Sequence, residues 1–144
     1  MVQAMSSPPG PAHGLELPFR ATHGFDALYG LELLEVGKEV ARARVEVRDE
    51  LKQPAGLVHG GVYAAIAESL ASLATFAAVA GEGKQAVGLS NQTSFLRPVT
   101  EGTILATAQR KHAGRTTWVW EVEMTDSEGR LCVLTRMTIA VREP

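Results

Sequence analysis

The chain is poor in the residues that most directly announce a chemistry. It has one cysteine, Cys132. A single thiol closes no internal disulfide and builds no multi-cysteine metal site, which fits a reducing cytosol. Cys132 lies on a candidate buried strand, where packing is its expected role. There is no His-Glu-x-x-His, and His59 and Glu68 lack zinc-ligand spacing, so no metal site is expected. The net charge is only −2, which gives none of the cationic footprint of a nucleic-acid binder. No apolar stretch reaches the roughly 20 residues of a bilayer span, so no membrane role is expected. Gly81-Glu82-Gly83-Lys84 falls short of a phosphate-binding loop, because Ala78 stands where a glycine is needed and Gln85 where Ser or Thr is needed. His13, His23 and His112 carry no catalytic pattern of their own.

What remains is an ordinary globular composition, 45% apolar and 21% charged over 144 residues. That is enough for one domain with its own core. The first residues, MVQAMSSPPGPAHGLELP, have neither the basic start nor the apolar run of a secretory signal. Residues 1–17 are expected to be a flexible tail and 18–144 a single domain in the cytoplasm.

Along that domain the hydrophobic period changes twice. Residues 19–30 read as a short helix weakened by Gly24. Gly37-Lys38 splits two extended runs into a hairpin, and in the second run Ala41, Ala43, Val45 and Val47 alternate with Arg42, Arg44 and Glu46. A helix spans about 59–79. Period two then returns for the rest of the chain. The segment 84–99 is one candidate strand, ended by Pro98, and 103–112 is another. In 116–125, Trp118, Trp120, Val122 and Met124 share a face. After the turn Asp126–Gly129, Leu131, Val133, Met137, Ile139 and Val141 share a face with Thr135. Strands, one long helix and a strand meander predict an α+β fold, an antiparallel sheet with the helix on one face. One helix cannot cover so long a sheet, and large bare apolar areas are unusual in monomers, so a homo-oligomer is expected.

The helix reads as two stripes. Tyr63, Ile66, Leu70 and Leu73 form the bulky face that packs on the sheet. Gly61, Ala65, Glu68, Ser72 and Thr75 form a stripe of small residues around one carboxylate, with Glu68 and Ser72 neighbours at a spacing of four. No lysine or arginine lies between 53 and 83 to pair with Glu68. A carboxylate among alanines without a cation gains basicity, which suits a nucleophile or a general base; a solvated helix residue is the plainer alternative. His59-Gly60-Gly61 opens the helix. Helix starts leave N–H groups unpaired at a partly positive end, and glycine lets a ligand come close. A developing oxyanion would be stabilised there. Gly60 and Glu68 lie about 12 Å apart along a regular helix. If both act on one substrate, Glu68 must come from a neighbouring subunit packed on the small stripe, in a site repeated by symmetry.

These pieces together, GLVHGGVYAAIAES after KQP, then SFLRPVTEG, HAGRTTW and DSEGRLC, resemble hotdog-fold acyl-CoA thioesterases. The resemblance covers roughly residues 25–142. It is strongest to the branch of the Arthrobacter-type 4-hydroxybenzoyl-CoA and 1,4-dihydroxy-2-naphthoyl-CoA thioesterases, near the phenylacetate-pathway enzymes. It implies a curved antiparallel sheet wrapped around one long helix, subunits joined edge to edge, and commonly tetramers as dimers of dimers. It implies Glu68 as the catalytic carboxylate and the Gly60 N–H as the group polarising the thioester carbonyl. Gln53 and His59 would be supporting polar residues, and Ser72 a hydroxyl holding the water. Gly61, Gly88, the stretch Phe95, Leu96, Arg97 and Pro98, and the stretch His112, Gly114, Arg115, Thr116 and Thr117 would serve substrate and coenzyme A. Coenzyme A would enter only as part of the substrate, with no metal or redox cofactor. Arg97 and Arg115 suit phosphates because guanidinium forks match phosphate oxygens.

The chain departs from that branch at Arg115, where a small hydroxyl residue is common. Glutamate rather than the aspartate of the phenylacetate branch favours an aryl substrate of the hydroxybenzoyl kind. The polar run Ser90–Ser94 either lines the acyl end or faces solvent. A hotdog dehydratase or hydratase, which would depend on His59, and a noncatalytic acyl-CoA-binding module are the competing readings.

Overall fold

The alternating segments assemble into one sheet. The computed structural model describes residues 23–144; the expected tail at 1–17 lies outside them. Helix α1 (Phe25–Tyr29) precedes strands β1 (Glu32–Val36) and β2 (Val40–Glu46). Helix α2 (Gly60–Val79) follows, then β3 (Gln85–Phe95), β4 (Thr103–Ala113), β5 (Thr117–Thr125) and β6 (Leu131–Arg142). All pairings are antiparallel, in the order β1-β2-β4-β5-β6-β3. This is the expected α+β architecture: a six-stranded curved sheet with one long helix on its inner face.

The strand faces follow from alternation. Ala41, Ala43 and Val45 of β2 are buried, as are Trp118, Trp120, Val122 and Met124 of β5. On the outer face Arg44 forks onto Glu32 at 2.8 and 2.9 Å, and Arg42 pairs with Glu35. Strand β6 departs from the expected pattern at its start. The register slips beside Thr125, so Cys132 turns inward with Val133 while Leu131 is left 41% exposed. Burial raises the Cys132 thiol above its usual range, in keeping with a packing role.

Helix α2 buries its bulky stripe as read, with Tyr63, Ile66, Leu70 and Leu73 all inside. Removing Ile66 and Leu70 from water contributes about 1.5–3 kcal/mol each. Burial also extends over Ala67, Ala71, Ala74 and Thr75, which corrects the reading of Thr75 as part of an outer stripe. Its Oγ1 accepts a hydrogen bond from Trp120 Nε1 at 2.8 Å and donates to the Ala71 carbonyl at 2.8 Å. The segment from Gly60 to Glu82 is, contrary to the sequence reading, long and apolar enough to cross a bilayer by length and composition. The surrounding sheet accounts for that composition, because a helix embraced by strands must be apolar over most of its circumference.

Helix α1 is shorter than the expected 19–30, of which 19–22 lie outside the described residues. Gly24 does not interrupt it but precedes it, at φ 60°. Asp26 fastens α1 to α2, its Oδ1 accepting from Tyr29 Oη at 2.7 Å and Ser69 Oγ at 2.6 Å.

Thr75→Val keeps the shape of the side chain but strands the buried Trp120 N–H. It should lower unfolding free energy by about 1–3 kcal/mol, with Thr75→Ser retaining most of it. Urea denaturation of the two variants checks this.

Candidate active site

The approach to α2 is a tight turn. The Gln53 N–H donates to the Leu57 carbonyl at 2.8 Å and the Gly56 N–H to the Gln53 carbonyl at 2.9 Å, with Gly56 at φ 88°. The Gln53 side-chain oxygen accepts from the Ala55 N–H. Backbone bonds from His59 to the Leu51 carbonyl and from Val58 to the Val99 carbonyl then hold the chain at the helix entry.

His59 is the N-cap. Its Nδ1 accepts from the Gly61 N–H at 2.9 Å, which places the ring proton of a neutral imidazole on Nε2. The two glycines are thereby separated in role. The Gly61 amide is taken by the cap, whereas the Gly60 N–H has no acceptor among the described residues. The free amide belongs to the glycine that the resemblance, not the residue pattern, assigns to the thioester carbonyl.

Gly60 opens on a cleft of about 420 Å³ that also takes in Gln53, Leu57, Tyr63, Phe95, Leu96, Arg97 and Pro98. The structure therefore brings Gln53 and Gly60 together with the whole Phe95–Pro98 stretch. Strand β3 ends at Phe95, ahead of the expected end at Pro98, because the Leu96 and Arg97 amides both turn to the Cys132 carbonyl, at 2.8 and 3.1 Å. The Phe95 ring lies on Gly60 so closely that a Cβ at 60 would stand 2.8 Å from its Cζ. Any larger residue at position 60 would push the ring away.

Glu68 is elsewhere. Its own chain leaves it exposed, which corrects the expectation of enclosure by alanines: Ala67, Ala71 and Ala74 turn to the sheet instead. The carboxylate lies over Gly88 of β3, where an added Cβ would be 3.4 Å from Glu68 Oε1. Gly88, read from the resemblance as a coenzyme A contact, here gives the carboxylate room. The β3–β6 register shifts between Gly88 and Ser90, a bulge that bends the strand where the acid meets it. Ser72 is half-buried one turn further along the helix.

Asn91 was not singled out from sequence. Its Nδ2 donates to the Ala64 carbonyl at 2.9 Å, its Oδ1 accepts from Thr93 Oγ1 at 2.7 Å, and Thr93 Oγ1 lies 3.0 Å from Thr135 Oγ1. The Ala64 carbonyl is the intrahelical acceptor for the Glu68 N–H, so this chain of hydrogen bonds fastens the turn bearing Glu68 to β3 and β6. The polar run thus fits neither of its sequence readings as a whole. Asn91 and Thr93 face the helix while Ser90, Gln92 and Ser94 are exposed. A strand whose inward positions are amide and hydroxyl is the signal that could have found it.

The remaining residues sit at the other end of α2. His112 lies near the end of β4, Gly114, Arg115 and Thr116 form the β4–β5 turn, and Thr117 opens β5. The Gly114 N–H donates to the Thr117 carbonyl at 2.9 Å, and the Gly114 carbonyl accepts from Trp118 Nε1 at 3.1 Å. The imidazole of His112 packs against Gly114, and a Cβ there would lie 2.7 Å from its Nε2. Arg115 joins Lys38, Lys84 and Arg110 around a hollow of about 310 Å³ that touches Ala78 and Val79. Lys84 is held by Glu82 at 2.7 Å, and Arg110 lies 4.8 Å over the Trp118 ring. Gly61 lines a separate cavity with Tyr29, Lys52 and His59. One chain therefore holds three separate groups: a cleft with a free amide, an exposed carboxylate on the sheet edge, and a basic hollow. Among the described residues no three His, Cys, Asp or Glu side chains cluster to hold a metal ion.

A long helix embraced by a curved, six-stranded antiparallel sheet is the hotdog architecture of thioesterases. The model of the Thioesterase superfamily matches residues 55–133, and the chain belongs to that family. The Mycobacterium tuberculosis protein Rv1847 is 42% identical over 127 residues, 87% of each chain. Its solved structure aligns with TM-score 0.81 at 40% identity, over 83% of this chain and 97% of that one. The 1,4-dihydroxy-2-naphthoyl-CoA hydrolase of Escherichia coli K12 is 36% identical over 106 residues, 74% of this chain and 77% of its own. The thioesterase HI1161 of Haemophilus influenzae aligns with TM-score 0.76 at 35% identity, over 81% of each chain.

Asn91→Ala should free the Glu68 turn from β3 without touching the cleft. The expected result is a fall of about tenfold in the rate of thioester hydrolysis at saturating substrate with KM little changed, a loss of about 1.4 kcal/mol; steady-state kinetics checks it.

Proposed function

We propose that this enzyme hydrolyses acyl-CoA thioesters with an aromatic acyl group, in a site that a second copy of the chain completes. The observation that carries the reading is the division of labour on α2. The free Gly60 amide and the Glu68 carboxylate lie about 12 Å apart along one helix, too far to act on one carbonyl within a single chain.

The thioester carbonyl oxygen accepts from the Gly60 N–H, at the positive end of the helix, where charge developing on oxygen is stabilised. Glu68 of the other copy either takes a proton from the attacking water, or attacks the carbonyl carbon to give, as the thiolate leaves, a mixed anhydride that water then hydrolyses to restore the carboxylate. The thiolate of coenzyme A departs and is protonated, and the acid is released. Glu68 sits on the margin where a copy would meet it. Strand β3 is an edge strand, with Val87 and Leu89 53% and 55% exposed. An apolar unpaired edge is a template for a further strand. Pairing there gives a dimer, and a second contact between dimers gives a tetramer. The relatives named 1,4-dihydroxy-2-naphthoyl-CoA hydrolase support the aryl preference, as do the Tyr63 and Phe95 rings beside the cleft, 6.2 Å apart. The basic hollow at Arg115 suits the nucleotide phosphates. The reaction needs only water and the carboxylate, with no metal or redox cofactor, in a soluble, cytoplasmic enzyme.

Glu68→Ala should lower kcat by about 10²–10⁴-fold while substrate binding and the circular dichroism spectrum persist. Thiol release across benzoyl, phenylacetyl, naphthoyl and aliphatic CoA thioesters should favour the aryl group. Equal rates across that panel sink the aryl preference, and an active monomer by light scattering at assay concentration sinks the shared site.

A further inference from the structure

Tyr63 stands on α2 one turn after Gly60 and lines the same cleft. Helix side chains lean toward the N-terminus over the preceding turn, so its ring is directed to the end where the Gly60 N–H is free. The residue is only 3% exposed, and its hydroxyl is the one buried side-chain polar atom among the described residues with no hydrogen-bond partner. Leaving such a group unpaired is destabilising, so a buried orphan hydroxyl in a cleft calls for a partner that the protein itself does not supply. The Tyr29 phenol shows the usual remedy, a carboxylate at 2.7 Å. No such group faces Tyr63.

The phenol is also chemically fixed as a donor. Burial pushes its pKa up to about 12, so the proton stays on oxygen throughout the working range. The side chain that lies on Gly60 and beside the Tyr63 ring is movable. The Phe95 ring, tilted 49° to the Tyr63 ring, is 60% exposed, and exposed side chains change rotamer within nanoseconds. Swinging that ring from Gly60 would uncover the free amide and widen the cleft beside the Tyr63 ring.

Resting on the thioesterase reading, we propose that Tyr63 is a substrate-contacting residue, its hydroxyl donating a hydrogen bond to an acceptor oxygen of the thioester bound at the N-terminus of α2. The acceptor is either a ring hydroxyl of the acyl group or an amide carbonyl of the pantetheine arm. In both cases the bond forms only when substrate fills the cleft, so Tyr63 sets specificity at the cost of stability in the empty enzyme.

The test is Tyr63→Phe in the full chain. Its melting temperature should equal or exceed that of the parent, since an unsatisfied hydroxyl is removed, while kcat/KM for the preferred aryl-CoA falls about five- to tenfold. Two comparisons locate the acceptor. A loss on 4-hydroxybenzoyl-CoA that is absent on benzoyl-CoA places it on the acyl group. An equal loss on both, absent for thioesters of a simple alkanethiol, places it on pantetheine. Unchanged kcat/KM for every substrate overturns the proposal, whether the variant is more or less stable, because the hydroxyl then serves only the fold or a buried water. Parent enzyme that releases no thiol from any of these substrates overturns the thioesterase reading instead, so the two failures are distinguishable.

Discussion

Everything in this fold follows from how closely α2 lies against the sheet. Alanines at 67, 71 and 74 put methyl groups where larger side chains would hold the helix away, and Ile66 and Leu70 fill the space on either side. That proximity lets Thr75 reach the indole of Trp120 and Asn91 reach a helix carbonyl. It also brings a carboxylate within touching distance of a strand glycine. A helix standing even an ångström or two further out would break each of these bonds together.

The same economy governs the helix entry. Four N–H groups at a helix start need partners, and this one has a capping imidazole that satisfies a single glycine amide while leaving its neighbour bare. Histidine here is an anchor for the geometry of the turn. With Nδ1 committed to Gly61, only Nε2 is left to face the surroundings, which is a poorer starting point for the proton-relay role that a dehydratase would give it.

The elements were legible in the sequence because period two and period 3.6 are enforced by burial, and burial is what the residues record. The strand set and the long helix could both be placed that way. The errors came where a local irregularity shifts the period. The slip beside Thr125 moved Leu131 out and Cys132 in, and the embrace of α2 on more than one side drew Thr75 into the core. Glu68 was found from its lack of a cation, but its exposure was not, since apolar neighbours in sequence spread around a helix and do not gather at one side chain. Asn91 and the orphan hydroxyl of Tyr63 escaped notice because their meaning depends on what lies across the sheet or cleft, which no spacing encodes.

The two margins of the sheet differ. Strand β1 is 5 residues long and its outer face carries the Arg42–Glu35 and Arg44–Glu32 pairs, whereas β3 runs 11 residues with bare aliphatic side chains. Charged, short margins resist lateral growth. In the proposed dimer, association through β3 would consume the one long apolar border among the described residues, and a two-fold arrangement would be self-terminating. Such asymmetry between borders would keep a sheet-rich protein from extending into filaments.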